Sequence, residues 1–167
     1  MRSIHRKRSQ GSLSRCTTTT EDATLSPEFE ISTDPARLDI GIIHGFLRES
    51  YWAEGRPRSV VERSIENSLC FGVYLEGRQV AFARVVSDRA VFAYLMDVFV
   101  LPEFRGRGIS KALVRAVLDH PELQGLRVFL LGTRDAHGLY EQFGFGPLAH
   151  PGRWMAIQNP NSDRKES

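Results

Sequence analysis

The chain has 167 residues, of which 41% are hydrophobic and 25% charged, a composition typical of one globular domain with enough apolar side chains for a core. Its two cysteines, Cys16 and Cys70, are too few for a disulfide framework or a four-cysteine zinc site. No apolar run approaches the roughly 18 residues of a membrane-spanning helix. We therefore expect no disulfide scaffold, no metal site and no membrane partner.

The formal net charge of +2 is unevenly distributed along the chain. The first 20 residues contain five basic side chains and no acidic one, which leaves 17 basic against 20 acidic side chains in the remainder. A domain that binds nucleic acid would show a basic folded face, so we expect no nucleic-acid partner. Residues 1–27 are predicted to be a disordered, basic, Ser/Thr-rich tail, with an organelle transit peptide as the alternative. The expected location is the cytoplasm, or an organelle if the tail is a transit peptide.

The rest of the chain alternates strand-like and helix-like patterns in the order β-α-α-β-β-β-α-β-α-β. The first half contains a strand at 29–33, a helix that begins at Asp34-Pro35, a second helix over 58–67 and strands over 70–75, 79–86 and 91–101. The second half contains a helix over 109–119, a strand over 126–131, a helix over 136–143 capped by Asp135 and ended by Gly144, and final strands that include 154–157. Residues 158–167 form a polar tail.

This order predicts an α/β (α+β) domain over residues 28–157. Three consecutive strands imply antiparallel pairing, and the strand-helix-strand unit from Val91 to Leu131 implies one parallel crossover. We therefore expect a mixed, mostly antiparallel central sheet of six or seven strands, flanked by about four helices. The strand over 91–101 is almost continuously apolar, which predicts burial on both faces.

The loop between that strand and the next helix combines two glycines with two arginines. Its sequence is Arg105-Gly106-Arg107-Gly108-Ile109-Ser110, directly before a predicted helix N-terminus. Glycine permits positive φ, and the first N–H groups of a helix lack internal partners, so such a loop can bind a phosphate or pyrophosphate. The alternative is a tight turn with solvated arginines. The loop is neither a dinucleotide fingerprint nor a P-loop, because the required third glycine and Gly-Lys-Ser/Thr are absent.

This loop resembles the Gln/Arg-x-x-Gly-x-Gly/Ala motif of the GCN5-related N-acetyltransferases (GNAT). Ser110 stands where the family often has Gly or Ala. Residues 133–145, which contain Leu-Tyr-x-x-x-Gly-Phe, resemble the second signature of that family. Two motifs in the right order, separated by a helix and a strand, are more specific than either alone. The resemblance covers about residues 28–157 and implies the acyl-CoA N-acyltransferase fold.

The resemblance implies acetyl-CoA as co-substrate, held between two splayed parallel strands. The pyrophosphate would bind the backbone amides of the loop, and the backbone of Phe99 and Val100 would hold the pantetheine arm and polarise the thioester carbonyl. Asp135 stands where the family often has an Asn that touches the cofactor. The cofactor-binding residues implied in this way are Phe99, Val100, Arg105, Gly106, Arg107, Gly108, Ile109, Ser110 and Asp135.

The resemblance also suggests two catalytic residues. Tyr140 stands at the position of the family's tyrosine and is the candidate acid for the thiolate, with a helix-face aromatic as the alternative. Asp97, a carboxylate inside an apolar strand, is the candidate for binding the substrate amine or acting as base. A buried Asp bonded to the backbone or to an arginine such as Arg84 is its alternative. An alkylammonium has a pKa of about 10.4, so a base or water relay is needed near neutral pH.

The predicted acceptor site contains aromatic side chains and an arginine. Tyr51, Trp52 and Arg56 lie between the first two helices and would suit a flat or anionic acceptor, although packing on the core is the alternative. Tyr94 would line the same site. Cys70, inside a strand, is expected to be a small buried apolar residue.

The expected activity is acetyl transfer to a primary amine of a small molecule or peptide, by direct attack in a ternary complex. Two alternatives stay open: a CoA-binding sensor without turnover, and a protein-lysine or N-terminal acetyltransferase guided by the basic tail. Members of the family are often dimers, so the resemblance allows a homodimer.

Overall fold

The computed structural model describes residues 29–159. They form strands β1 (Glu30–Ser32), β2 (Leu69–Leu75), β3 (Arg78–Ser87), β4 (Phe92–Val100) and β5 (Val128–Leu131), and helices α1 (Ile40–Leu47), α2 (Arg58–Glu66), α3 (Ile109–Leu118) and α4 (His137–Glu141). The predicted tail over 1–27 lies outside the described residues, as do residues 160–167 of the C-terminal tail.

The strands form one sheet in the order β1-β2-β3-β4-β5. All neighbours pair antiparallel except β4 and β5, which are parallel and joined through α3. The β2–β3 hairpin turns at Glu76 and Gly77, whose φ angles of 50° and 81° match the right-handed twist of the strands. The mixed sheet, the hairpin and the parallel crossover predicted from the sequence are therefore confirmed.

The sheet has a hydrophobic core against each set of helices. Side chains of α1 and α2, including Ile43 and Val61, pack with Phe82 and Phe99. Side chains of α3, including Leu113, belong to the other core together with the apolar side of the sheet and Tyr140. None of the helices between residues 29 and 159 combines the length and the apolar character that a membrane span needs.

The predicted count of six or seven strands is wrong for the described chain, which has five. The missing strand is the one predicted at 154–157. These residues have no ladder partner in the described chain, and every residue from 146 to 159 is exposed. An isolated strand has no hydrogen-bond partners for its backbone groups and no surface that buries its apolar side chains. Sequence propensity alone therefore does not produce a strand.

Three local predictions are also corrected. Asp34 caps a short 3-10 turn, and the first helix begins later, with the Asp39 side chain accepting from the N–H of Ile42. Asp135 does not cap α4, because the Oγ1 of Thr133 accepts the N–H of Ala136 in that loop. Strand β4 is not fully buried on both faces, since buried and half-buried residues alternate along it.

Candidate active site

An irregularity in β4 shapes the centre of the molecule. Phe82 pairs with Phe99 and Arg84 pairs with Met96, so two residues of β4, Asp97 and Val98, oppose a single residue of β3. Asp97 has φ of 52°, in the left-handed region that Asp tolerates better than most residues. The result is a β-bulge, which bends the strand and changes which edge its later backbone groups face.

The Asp97 carboxylate is buried between two arginines. Its Oδ2 accepts from the Nε of Arg84 at 2.9 Å, and its Oδ1 lies 3.3 Å from the guanidinium of Arg56. Arg84 is itself buried and also donates to the Oγ of Ser68 at 3.1 Å. A buried carboxylate is tolerated only when it is paired and hydrogen-bonded. The sequence analysis gave an Asp bonded to an arginine such as Arg84 as the alternative to a catalytic role. This ion pair is present in the fold.

Beyond Leu95, just before the bulge, β4 and β5 separate. Their parallel pairing runs from Phe92 with Val128 to Leu95 with Leu131, where β5 ends, while β4 continues to Val100. A groove therefore opens along the last residues of β4.

The backbone of β4 presents hydrogen-bonding groups to this groove. The N–H of Leu101 donates to the carbonyl of Val80 on β3. Because backbone groups alternate between the two edges of a strand, Phe99 also faces β3, whereas Val98 and Val100 face the groove. The Val100 carbonyl accepts from the Nε of Arg105 at 3.1 Å, as expected for a residue that faces the groove, and the same alternation directs the N–H groups of Val98 and Val100 there.

The glycine-containing loop has the geometry expected of an anion site. Gly106 and Gly108 have φ of 78° and 76°, and a Cβ built on either would meet nothing within 4 Å. Gly108 is the N-terminal cap of α3, and no side chain accepts the first N–H groups of that helix. The loop therefore leaves open space in front of unpaired helix N–H groups, which is what a phosphate needs.

This loop and the end of β4 line one groove of about 1070 Å³. The groove contains all of the predicted cofactor-binding residues except Arg107: Phe99, Val100, Arg105, Gly106, Gly108, Ile109, Ser110 and Asp135. The guanidinium of Arg107 instead lies 5.6 Å from the ring of Phe104.

A second cavity, of about 550 Å³, adjoins the groove and shares Tyr140 with it. All of the side chains predicted for the acceptor and the chemistry line it: Tyr51, Trp52, Arg56, Tyr94, Asp97 and Tyr140. Tyr51, Trp52, Val98, Asp135, Ala136 and Tyr140 line both spaces. The structure therefore brings together residues that are up to 89 positions apart in the sequence, from Tyr51 to Tyr140.

The end of α4 holds Tyr140 at the junction. Gly144 has φ of 88°, and the reversed chain lets the N–H of Phe145 donate to the Tyr140 carbonyl. The ring of Phe145 then packs edge-on against Tyr140 at 6.0 Å and against Phe129 at 5.8 Å. The second motif has Gly and Phe four and five residues after Tyr140. In the structure the glycine allows the chain to reverse, and the phenylalanine packs on the tyrosine ring.

Tyr140 lines both spaces, and its hydroxyl makes no hydrogen bond with another residue of the described chain. No fully buried side-chain N or O atom of the described residues lacks a partner, so this hydroxyl is not fully buried. Burial raises the pKa of Tyr140 to about 12, with smaller contributions from Tyr51 and Asp135. The phenol therefore keeps its proton at neutral pH.

Sequence analysis missed Arg134, which forms part of the cavity wall. Its N–H donates to the Tyr51 hydroxyl at 3.3 Å, and its guanidinium lies 3.6 Å from the centre of the Tyr51 ring. These contacts join the loop before α2 to the loop after β5. Its position just beyond the carboxyl end of a parallel strand, where ligand sites of open α/β sheets occur, was the available signal.

Sequence analysis also missed the side of the groove formed by α1. Gly41 and Gly45 line the groove. Glycine in a helix interior costs about 0.5–1 kcal/mol relative to alanine, so two glycines four residues apart on one helix face were a usable signal that this face lines an open space.

Loss of the Asp97 carboxylate should destabilise the fold. Asp97→Ala would leave Arg84 buried without its partner, and breaking a buried pair in this way costs about 3–5 kcal/mol of the free energy of unfolding. Chemical denaturation measures the difference. The double variant Arg84→Met/Asp97→Asn should lose less than the sum of its single variants, because it removes both charges. A loss below about 1 kcal/mol for Asp97→Ala would show that the pair is not a structural requirement.

The raised pKa of Tyr140 predicts a dependence of stability on alkaline pH. The folded state holds the phenolic proton more tightly than the unfolded state, so the contribution to stability is complete below pH 10 and is lost as the pH rises toward about 12. The wild type should therefore lose more unfolding free energy over this interval than Tyr140→Phe, measured by urea denaturation at several pH values. Equal losses would contradict the shift.

The comparisons with known proteins agree with this geometry. A model of the acetyltransferase (GNAT) family matches residues 40–145. A crystal structure of a GNAT-family protein from Xanthomonas campestris pv. campestris is 57% identical, covers 79% of this chain and 94% of that chain, and superposes with a TM-score of 0.78. A relative from Gibberella zeae that carries an acetyltransferase name is 31% identical over 66% of this chain and 75% of its own length.

A further relative is named for a specific acceptor. The protein named serotonin N-acetyltransferase 2, chloroplastic, from Oryza sativa subsp. japonica is 31% identical over 75% of this chain and 71% of its own length. The family model, the relatives and the superposed crystal structure all name acetyl transfer or the GNAT family. The chain therefore belongs to the GNAT family of acetyltransferases.

Proposed function

We propose that this protein transfers an acetyl group from acetyl-CoA to a primary amine, with both substrates bound at once. One observation carries the proposal: the groove lined by the glycine loop and the cavity lined by aromatic side chains meet at the Tyr140 phenol. A donor in the groove and an acceptor in the cavity would therefore both lie against the same proton donor.

The groove suits the anionic and amide parts of CoA. The phosphates would bind the N–H groups at the start of α3 and the backbone of Gly106 and Gly108, where nothing obstructs close approach. The N–H groups of Val98 and Val100 would hold the pantetheine arm and the thioester oxygen. Fixed amides directed at an oxygen that gains negative charge are often the largest single contribution to catalysis.

Tyr140 is proposed as the acid of this reaction. Acetyl-CoA supplies an activated acyl group and a thiol leaving group. As the bond from carbon to sulfur breaks, the leaving sulfur gains negative charge, and the protonated phenol at the junction can donate to it. The attacking amine must lose a proton in turn, which we assign to a base or water relay within the cavity.

Asp97 stays a candidate for binding the amine or acting as base. Both of its oxygens already accept hydrogen bonds or ion pairs from Arg84 and Arg56. These contacts favour a role in which Asp97 holds Arg56 against the cavity. The Arg56 side chain is only 12% exposed, and its guanidinium also lies 3.5 Å from the carbonyl of Trp52, so both Asp97 and the loop before α2 hold it in place.

The cavity favours an acceptor with a flat or anionic group beside its amine. Tyr51 and Trp52 lie edge to face at 4.9 Å, and Tyr94 lines the same space. Aromatic walls bind flat rings, and arginines such as Arg134 bind carboxylates or phosphates. The named activity of the Oryza relative, on serotonin, makes aromatic amines the first compounds to test.

Direct transfer is supported by the state of the cysteine inside the domain. Burial raises the pKa of the Cys70 thiol to about 12, so it stays protonated at neutral pH. Cys70 is buried, and its Sγ lies 3.7 Å from the Ile65 carbonyl. A buried neutral thiol is a poor nucleophile, so we propose no acyl-cysteine at this position.

The acid role is tested by Tyr140→Phe. If proton donation to the thiol matters, thiol release from acetyl-CoA with a panel of aromatic, anionic and aliphatic amines should fall by about 10²–10⁴ in kcat. Tyr74→Phe is the matched control, because the Tyr74 hydroxyl donates to the Arg37 carbonyl and lines neither cavity. Unchanged turnover in Tyr140→Phe would remove this residue from the mechanism.

The cofactor site is tested by Gly108→Ala. A left-handed conformation costs an alanine about 1–2 kcal/mol, and the new methyl group would occupy space that the phosphates need. The Kd for CoA, measured by calorimetry, should rise by about tenfold or more. Gly138→Ala is the control, because Gly138 lies in α4 without a positive φ and with open space around it.

These two experiments, together with removal of residues 1–20, separate the alternatives. Tight CoA binding without thiol release from any amine would favour a CoA-binding sensor or a protein substrate. Loss of activity on a protein but not on small amines after removal of residues 1–20 would favour acetylation of a protein partner. An absence of CoA binding would overturn the proposed function.

A further inference from the structure

Tyr94 differs from the two other tyrosines that line the cavity of about 550 Å³, which we call the acceptor cavity. Tyr51 and Tyr140 also line the groove, whereas Tyr94 lines the acceptor cavity alone. The Tyr51 hydroxyl accepts from the N–H of Arg134, and the Tyr140 hydroxyl is proposed as the acid for the thiol. A molecule that contacts Tyr94 would therefore be the acceptor rather than CoA.

The Tyr94 hydroxyl is available to a ligand. It makes no hydrogen bond with another residue between positions 29 and 159. Every fully buried side-chain N or O atom of that range has a partner, so this hydroxyl is not fully buried. It lies beside Gly132, another residue of the cavity wall. A phenol can both donate and accept a hydrogen bond, so a polar group of a bound molecule can pair with it.

The position of this hydroxyl depends on Gly132. Tyr94 pairs with Leu130 of β5, and Gly132 follows Leu130 by two positions, the spacing of residues on one face of a strand. A Cβ built on Gly132 would lie 3.2 Å from the Tyr94 hydroxyl oxygen, so the phenol would have to move by a few tenths of an ångström. Gly132 does not have a positive φ, so its backbone does not itself require glycine. The glycine instead leaves room for the phenol.

We propose that the Tyr94 hydroxyl binds the acceptor and that Gly132 keeps this hydroxyl in place, so that the two residues determine acceptor specificity. Tyr94 would touch the acceptor, whereas Gly132 acts through Tyr94 and is a positioning residue. The inference rests on the proposed function, because that function assigns this cavity to the acceptor.

The cavity wall indicates which group of the acceptor Tyr94 would bind. The edge-to-face pair of Tyr51 and Trp52 suits a flat ring. A phenol matches a neutral group that donates and accepts, such as a hydroxyl, whereas an arginine is the better partner for a carboxylate. The inferred acceptor is therefore an aromatic amine whose ring carries a hydroxyl. A site built to bond a substrate hydroxyl discriminates against the analogue that lacks it.

Matched amines test this contact. Serotonin with tryptamine, and tyramine with phenethylamine, are pairs that differ by one ring hydroxyl. Calorimetry measures their Kd values on the full chain saturated with CoA, so that no acetyl transfer occurs. In at least one pair the hydroxylated amine should bind about 5-fold to 50-fold more tightly.

The outcome separates this inference from the proposed function. Equal binding within both pairs, or no binding of any of these amines, would overturn the inference. Thiol release from acetyl-CoA with other amines would at the same time leave the proposed function in place.

Tyr94→Phe removes the hydroxyl and keeps the ring. The preference for the hydroxylated amine should fall below about twofold, and the Kd for CoA should change by less than about twofold because Tyr94 does not line the groove. Tyr74→Phe is the matched control and should keep the preference, since its hydroxyl donates to the Arg37 carbonyl outside both spaces. A preference that survives Tyr94→Phe would overturn the inference.

Gly132→Ala tests the positioning role. The new methyl group displaces the Tyr94 hydroxyl, so the hydroxylated amine should bind about twofold to fivefold more weakly. In the Tyr94→Phe background the same substitution should have no further effect, because the displaced group is gone. Gly138→Ala, in α4 with open space around it, is the control. Equal effects of Gly132→Ala in both backgrounds would show a general disturbance of the fold and contradict the positioning role.

Discussion

The ion pairing of the buried Asp97 carboxylate is the interaction on which the candidate site depends. Its ion pairs with Arg84 and Arg56 occur at a residue with φ of 52°, where β4 carries one residue more than β3 opposes. That extra residue changes the edge to which the following backbone faces. Without it, Val98 and Val100 would not direct their N–H groups to the groove. Charge pairing, strand geometry and the groove are therefore parts of one arrangement.

The second constraint is the packing that fixes Tyr140. A left-handed glycine after α4 turns the chain, and the ring of Phe145, which packs edge-on against Phe129, also packs edge-on against the tyrosine ring. The hydroxyl then reaches the place where the groove and the cavity meet. Most of the residues that line this junction belong to loops and strand ends. The sheet and the helices that hold these loops pack against each other through the two hydrophobic cores. This division between a rigid scaffold and variable loops is how one fold serves many acceptors.

The end of the described chain differs from what the sequence predicted, because residues 154–157 do not form a strand of the sheet. Sequence propensity predicted strands that the described chain does not form, although the residues have the composition of a strand. A strand needs a partner for its backbone and a cover for its side chains.

The sequence by itself determined the order of elements, the mixed sheet and the glycine loop, because local periodicity and turn residues specify these features. It also supplied the candidate site residues, since Asp97 inside an apolar strand and the two family motifs are visible without coordinates. Only the tertiary structure decided that Arg84 and Arg56 share the Asp97 carboxylate, that Arg134 contacts Tyr51, and that β4 contains a bulge. These depend on pairing register and on contacts between distant segments, and local sequence preferences do not encode either.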